Sequence, residues 1–201
     1  MAKALVLDEI ANLPVAMRSA LLPLAENWTP ELYAWTAEKL DGDIASFEHV
    51  DEVLSRAPEF GLLLAEVPSL QQKPMFRGFT IFLPLNEVGH SSLLSGEFNG
   101  SAINPAFLAT KGEPVASLYW WCTVGPSAVA LGMTAVFSQL QKEHVREASI
   151  FTKPITKRAE ELARLAGFEP VRPDASYSNG GLFVYHRSGI FSDHPRSIEA
   201  A

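Results

Sequence analysis

The sequence predicts a single α/β (α+β) domain, and three observations predict it. First, its 201 residues are 47% hydrophobic and 19% charged. That is enough apolar material for one core of ordinary size, and too much for a disordered chain. Second, short apolar runs of strand length are interspersed with segments of helical period. Third, the chain holds neither an internal repeat nor a low-complexity tract, so one fold must account for it.

Residues 15–40 read as helical, with a start signal inside them at Trp28-Thr29-Pro30-Glu31. Thr29 is a good N-cap and Pro30 suits the first helical position. Leu32, Trp35 and Leu40 follow at roughly helical spacing, up to Asp41-Gly42. A second helix is expected from Phe47 to Ala57, with Val50, Val53 and Leu54 as its apolar face and Pro58 as its stop. Gly61 to Val67 and Arg77 to Leu83 read as strands. The polar, Pro-flanked stretch between them predicts a hairpin. Glu87 to Ser95 fits a helix closed by Gly96, and Phe98 to Pro105 has loop chemistry.

The second half is more regular. Val115 to Val124, rich in aromatic and β-branched residues, predicts a buried strand broken by Gly125-Pro126-Ser127. Ala128 to His144 predicts a helix with Leu131, Ala135 and Leu140 on one side. Ala148 to Thr152 predicts a short strand. Thr156 to Ala166 predicts an amphipathic helix with Leu162 and Leu165 inward, ended by a left-handed Gly167. Leu182 to Arg187 reads as a last strand. Residues 1–188 are expected to form the domain, and 189–201 a polar C-terminal tail.

Charge and composition narrow the function classes. A net charge of −7 makes a general attraction to nucleic acid or to anionic membrane unexpected. The basic residues Lys153, Lys157, Arg158 and Arg164 nevertheless lie close together. One cysteine, Cys122, allows no internal disulfide, which fits a reducing compartment. With no signal-like N-terminus and no apolar run of membrane-spanning length, a cytoplasmic location is expected. The five histidines share no ligand spacing, so no metal is expected. Phosphate-binding P-loop, dinucleotide and Gly-x-Ser-x-Gly signatures are absent from the sequence.

The order helix, helix, strand, strand, variable segment, strand, helix, strand, helix, strand resembles the GNAT superfamily of acyl-coenzyme A-dependent N-acyltransferases. The residue-level match lies in Val115–Arg187. The family's loop after the central strand corresponds to Ser127-Ala128-Val129-Ala130-Leu131-Gly132. Gly132 matches; Ala130 stands where Gly is usual, and Ser127 where Arg or Gln is usual. A second match is Thr156-x-x-Ala159 followed by Gly167-Phe168, with Ala163 where a Tyr acid is often found.

The resemblance implies a mixed, mostly antiparallel sheet with helices on both faces. It implies acetyl-CoA or another acyl-CoA as co-substrate, and a small-molecule or protein amine as acceptor. It also implies cofactor contacts at Cys122, Thr123 and Val124 through backbone donors, and at Ser127, Ala128, Val129, Ala130, Leu131, Gly132 and Thr156. Small residues at a helix N-terminus let backbone N–H groups approach a pyrophosphate.

Direct attack on a thioester needs a base for the ammonium, a donor for the oxyanion and an acid for the thiolate. Glu87 and His90 in the variable segment are candidate bases, against a solvated helix surface. Tyr119 is a candidate hydroxyl, against a core aromatic. Cys122 is better read as a small buried hydrophobe than as a nucleophile. Trp120 and Trp121 are expected on opposite faces of their strand, one in the core and one lining a pocket. Trp28, Tyr33 and Trp35 suit either core or a homodimer surface. The alternatives to an active acyltransferase are a GNAT-fold module that binds a ligand or protein without catalysis, and an unrelated α/β domain.

Overall fold

A computed structural model describes residues 19–40, 44–66, 75–125 and 140–187. In chain order the elements are β1 (Ser19–Pro23), α1 (Pro30–Lys39), α2 (Phe47–Arg56), β2 (Gly61–Glu66), β3 (Met75–Leu85), α3 (Glu87–Ser95), β4 (Ser117–Val124), β5 (Ile150–Thr152), α4 (Lys157–Leu165), β6 (Glu169–Pro170) and β7 (Phe183–Tyr185). The strands form one sheet in the order β1-β2-β3-β4-β5-β7-β6. Every pairing is antiparallel except β4 with β5. This is the mixed, mostly antiparallel sheet that the resemblance implies.

Local chemistry explains most of the element ends. Thr29 accepts from the Leu32 N–H and Pro30 opens α1; Ser46 accepts from the His49 N–H to open α2. Asn86 caps α3 through Gly89 N–H, and Gly96 closes that helix at φ 86°. Each side-chain cap satisfies one of the amides that a helix leaves without an internal partner. Gly89 is required by packing as well, because a Cβ there would lie 2.4 Å from the Phe107 carbonyl oxygen.

One expectation needs correction in the first half and two in the second. Ser19–Pro23 is a strand rather than the start of a helix. Its Leu-rich run suits either state locally, and antiparallel pairing with β2, Leu21 opposite Leu64, decides it. Helix begins only at Pro30, where the cap stands. In α4 it is Ala163 that is buried, while Leu165 is 82% exposed. At 100° per residue Leu165 lies about 200° from Ala163, so both cannot face the sheet. The two-residue strand β6 is too short to leave a periodic signal. The helix expected over 128–144 falls largely outside the described residues; from Gln141 the chain runs through turns and a 3-10 turn at Glu143–Val145.

Alternation along the strands builds two cores, one on each face. Ile81, Leu83, Tyr119, Phe151 and Val184 join α1, α2 and α3 residues Leu32, Val50, Val53, Leu54 and Leu93. Phe82, Leu118, Ile150 and Phe183 pack on the other face with Leu140, Val145, Ala163 and Phe168. Trp28 belongs to the first core, stacked on Phe47 and edge-on to Phe79. Arg187 is buried, its guanidinium donating to the Val145 and Leu140 carbonyls. Among the described residues no helix is long and apolar enough to cross a membrane.

Candidate functional site

The sheet parts where β4 and β5 run parallel. Leu118, Tyr119 and Trp120 pair with Ile150, Phe151 and Thr152, and there the pairing ends. β5 stops at Thr152, while β4 continues to Val124 beside β3 alone. Past Trp120, among the described residues, one edge of β4 therefore has no strand against it.

A bulge sits at this point. On β3, Phe82 faces Trp120 and Ile81 faces Cys122, so Trp121 is the extra residue. One residue inserted into a period of two puts neighbours on the same face. Accordingly Trp121 and Cys122 both pack on the core of α1, α2 and α3, while Trp120 packs on the opposite core. The two tryptophans do face opposite ways. Trp120 stacks on Phe82, and its Nε1–H lies 2.7 Å from Thr123 Oγ1 and 3.1 Å from Thr80 Oγ1. Thr80 Oγ1 lies in turn 2.8 Å from Thr123 Oγ1 and donates to the Cys122 carbonyl. This network locks β3 to β4 just where β5 leaves.

Gly125 ends β4 at φ 102°, and a Cβ there would lie 2.3 Å from the Arg77 carbonyl oxygen. Only glycine fits that conformation and that approach.

On the α1–α3 face, residues 97–104 cross the mouth of the split as a strap. Trp121 Nε1–H donates to the Gly100 carbonyl at 2.7 Å. From the β5 side, Lys153 Nζ reaches the Phe98 carbonyl at 3.4 Å. The Phe98 ring sits edge-on to Tyr119 at 5.0 Å, and Ile103 N–H donates to His49 Nε2 at 3.0 Å. Side chains from both flanking strands thus hold the same short segment. Asn86 Nδ2 fixes its far end by donating to the Ala106 carbonyl.

The candidate residues fall in three places. Cys122, Thr123 and Val124 form the free half of β4, and Tyr119 stands two residues before the bulge on the strap side. Burial pushes the Cys122 thiol up to about 12, so it stays a thiol at neutral pH. Burial, and secondarily Cys122, likewise raise Tyr119 far above the usual phenol range. The Tyr119 hydroxyl therefore keeps its proton at neutral pH. Thr156 caps α4, its Oγ1 accepting from Ala159 N–H at 3.1 Å. Ser127, Ala128, Val129, Ala130, Leu131 and Gly132 lie outside the described residues.

The third place is α3. Glu87 is exposed in its first turn. His90 is half-buried, its Nδ1 3.0 Å from the buried Ser117 Oγ and its ring 5.6 Å from Phe151. Ser117 begins β4, so His90 stands about 13 Å along the strand from the bulge at Trp121. His90 thus stands beside Phe151, the β5 partner of Tyr119, while Glu87 makes no contact that joins it to Tyr119 or Cys122 among the described residues.

Lys153 is the residue at the split that sequence reasoning passed over, except as one of a group of basic residues. Its signal was position: a cation directly after the apolar run Ile150-Phe151-Thr152 and before the buried Pro154. Desolvation lowers its ammonium below the ordinary lysine range. Among the described residues no cluster of His, Cys, Asp or Glu is arranged to hold a metal ion.

No protein-family model matches the chain, and no curated protein matches it in sequence. Solved structures similar in architecture include a tyrosine-to-phenylalanine mutant of KacT, 13% identical with a TM-score of 0.43, covering 85% of this chain and 96% of that one. Another is described as histone acetyltransferase HPA2 and related acetyltransferase from Corynebacterium glutamicum. It is 15% identical with a TM-score of 0.41, covering 83% of this chain and 94% of that one. At such scores the likeness bears on neither activity nor substrate.

Proposed function

We propose that the chain is an acyl-CoA-dependent N-acyltransferase, transferring an acetyl group from acetyl-CoA to an amine by direct attack. The observation that carries this reading is the bulged, one-sided end of β4. A thioester arm lying in the split would meet a strand edge that has no strand against it, at Trp121 to Val124. Backbone N–H groups fixed there need no reorganisation to stabilise a developing oxyanion. The segment Ser127 to Gly132 would then carry the pyrophosphate, with Thr156 beside the nucleotide.

In this scheme the acceptor nitrogen attacks the thioester carbonyl carbon, the C–N bond forms and the C–S bond breaks. The thiolate leaves under a hydrogen bond from the Tyr119 hydroxyl, which retains its own proton, and takes up a proton from water. Glu87 or His90 would relay the ammonium proton through water, given their distance from the bulge. The acceptor is a small-molecule or protein amine. A second reading, a module that binds a CoA compound or a partner without turnover, is favoured by the strap. Trp121 and Lys153 hold it across the face from which an acceptor would arrive.

Thermal-shift titration with CoA, acetyl-CoA and longer acyl-CoAs tests the cofactor, since a ligand selective for the folded state raises the midpoint with concentration. A saturable shift is expected. Thiol release with a panel of amines then separates the two readings: turnover supports the enzyme, and binding without turnover supports the module. No shift with any CoA compound at millimolar concentration overturns the cofactor claim and leaves a module that binds a partner.

A further inference from the structure

We propose that Lys153 is a self-acylation site: with acyl-CoA in the split, its own side chain accepts the acyl group as an amide. The inference rests on the proposed cofactor site and adds a covalent state of it.

The geometry is specific to this lysine. Thr152 is the last residue of β5 to pair with β4, and Lys153 follows it directly, level with the bulge at Trp121. Phe151 faces the α1–α3 core, so two residues on, Lys153 faces the same side, and its contact with the strap carbonyl of Phe98 confirms the direction. Nζ is therefore on the strap side of the split, where an acceptor amine would have to come. Its one hydrogen bond among the described residues is the long 3.4 Å contact to Phe98, and no ion pair ties it there. The titratable groups on the strap or packed near it are Glu97, exposed at its start, and Tyr119, Cys122 and His49; among the described residues no ion pair joins Glu97 to Lys153.

An amine must be neutral to attack. Desolvation favours the neutral form of Lys153 without any neighbouring base. The step balances without a further reactant. Nζ bonds to the carbonyl carbon, the C–S bond breaks, and CoA leaves as the thiolate, which takes the proton that the amine loses. The product is an uncharged amide. It can no longer donate three hydrogens, and it places an acyl group beside Phe98 and Tyr119.

The test uses the full chain, incubated with acetyl-CoA at pH 7, followed by intact mass and peptide mapping. Exposed Lys157 and Lys111 serve as internal references. Acetylation of Lys153 is expected to be faster than at either, because its amine stands on the strap side of the split beside the bound thioester, where the reaction is effectively intramolecular. K153R should lose that label and keep the thermal shift with acetyl-CoA. If acetyl-CoA raises the midpoint while Lys153 labels no faster than Lys157, self-acylation is overturned and the cofactor reading stands. If neither shift nor label appears, both are overturned.

Discussion

Ser117 to Trp120 and Trp121 to Val124 are halves of one strand with opposite fates. The first half has β3 on one side and β5 on the other, and its Ser117 and Leu118 are fully buried. The second half keeps β3 only, and its Trp121, Cys122 and Thr123 are partly exposed. Composition does not separate them, since both are rich in aromatic or β-branched residues. The neighbour does. A strand in the middle of a sheet becomes an edge where its partner turns away, with no change in its own secondary structure.

Substitutions can break this contrast. L118A in the paired half should cost about 2–5 kcal/mol of unfolding free energy, measured by urea titration, because a fully buried side chain is lost on a rigid strand. G125A at the end of the free half should cost about 1–3 kcal/mol, since it forces a left-handed non-glycine against the Arg77 carbonyl. CoA binding should survive L118A wherever the variant is still folded, and should weaken with G125A. Equal effects on binding would show that the two halves are not distinct.

Smaller changes sharpen the comparison. T123V removes one of the two hydroxyls around the Trp120 indole and should cost about 1 kcal/mol. W121F should change stability little, yet hydrogen exchange at residues 98–103 should accelerate as the Gly100 contact is lost. The least effect concerns alkali. The folded Cys122 thiol titrates near 12 and the unfolded one near 9. Between those values the unfolded chain has released a proton that the folded chain retains, so stability falls as pH rises. C122S should show a shallower alkaline loss of Tm than the wild type, and both should coincide below pH 8.

What the residues disclosed on their own follows from the range of the forces involved. Thr29, Pro58 and Gly96 act within one helical turn, so α1 was legible from its cap, α2 from its apolar face and its stop, and α3 from its closing glycine; the Ser46 and Asn86 caps emerge only in the structure. β1 was not, because Ser19–Pro23 is settled by Leu62 to Glu66, some forty residues away. The free half of β4 was placed correctly as a strand, but nothing local in Trp120-Trp121-Cys122 announces a bulge. That depends on how β3 meets it. Lys153 was hidden for the same reason, since the Phe98 carbonyl that receives it lies far back in the chain.

The bulge also makes this site a matter of length. Substituting Trp121 removes an indole but leaves its backbone in place; deleting it would bring β4 back into step with β3. Cys122 would then follow Trp120 directly and still face Ile81, with Thr123 and Val124 keeping their sides, so that the bulge alone is lost. Tolerance of every substitution at position 121 together with intolerance of its deletion would therefore mark a position that is kept for its place in the count of residues and not for its chemistry.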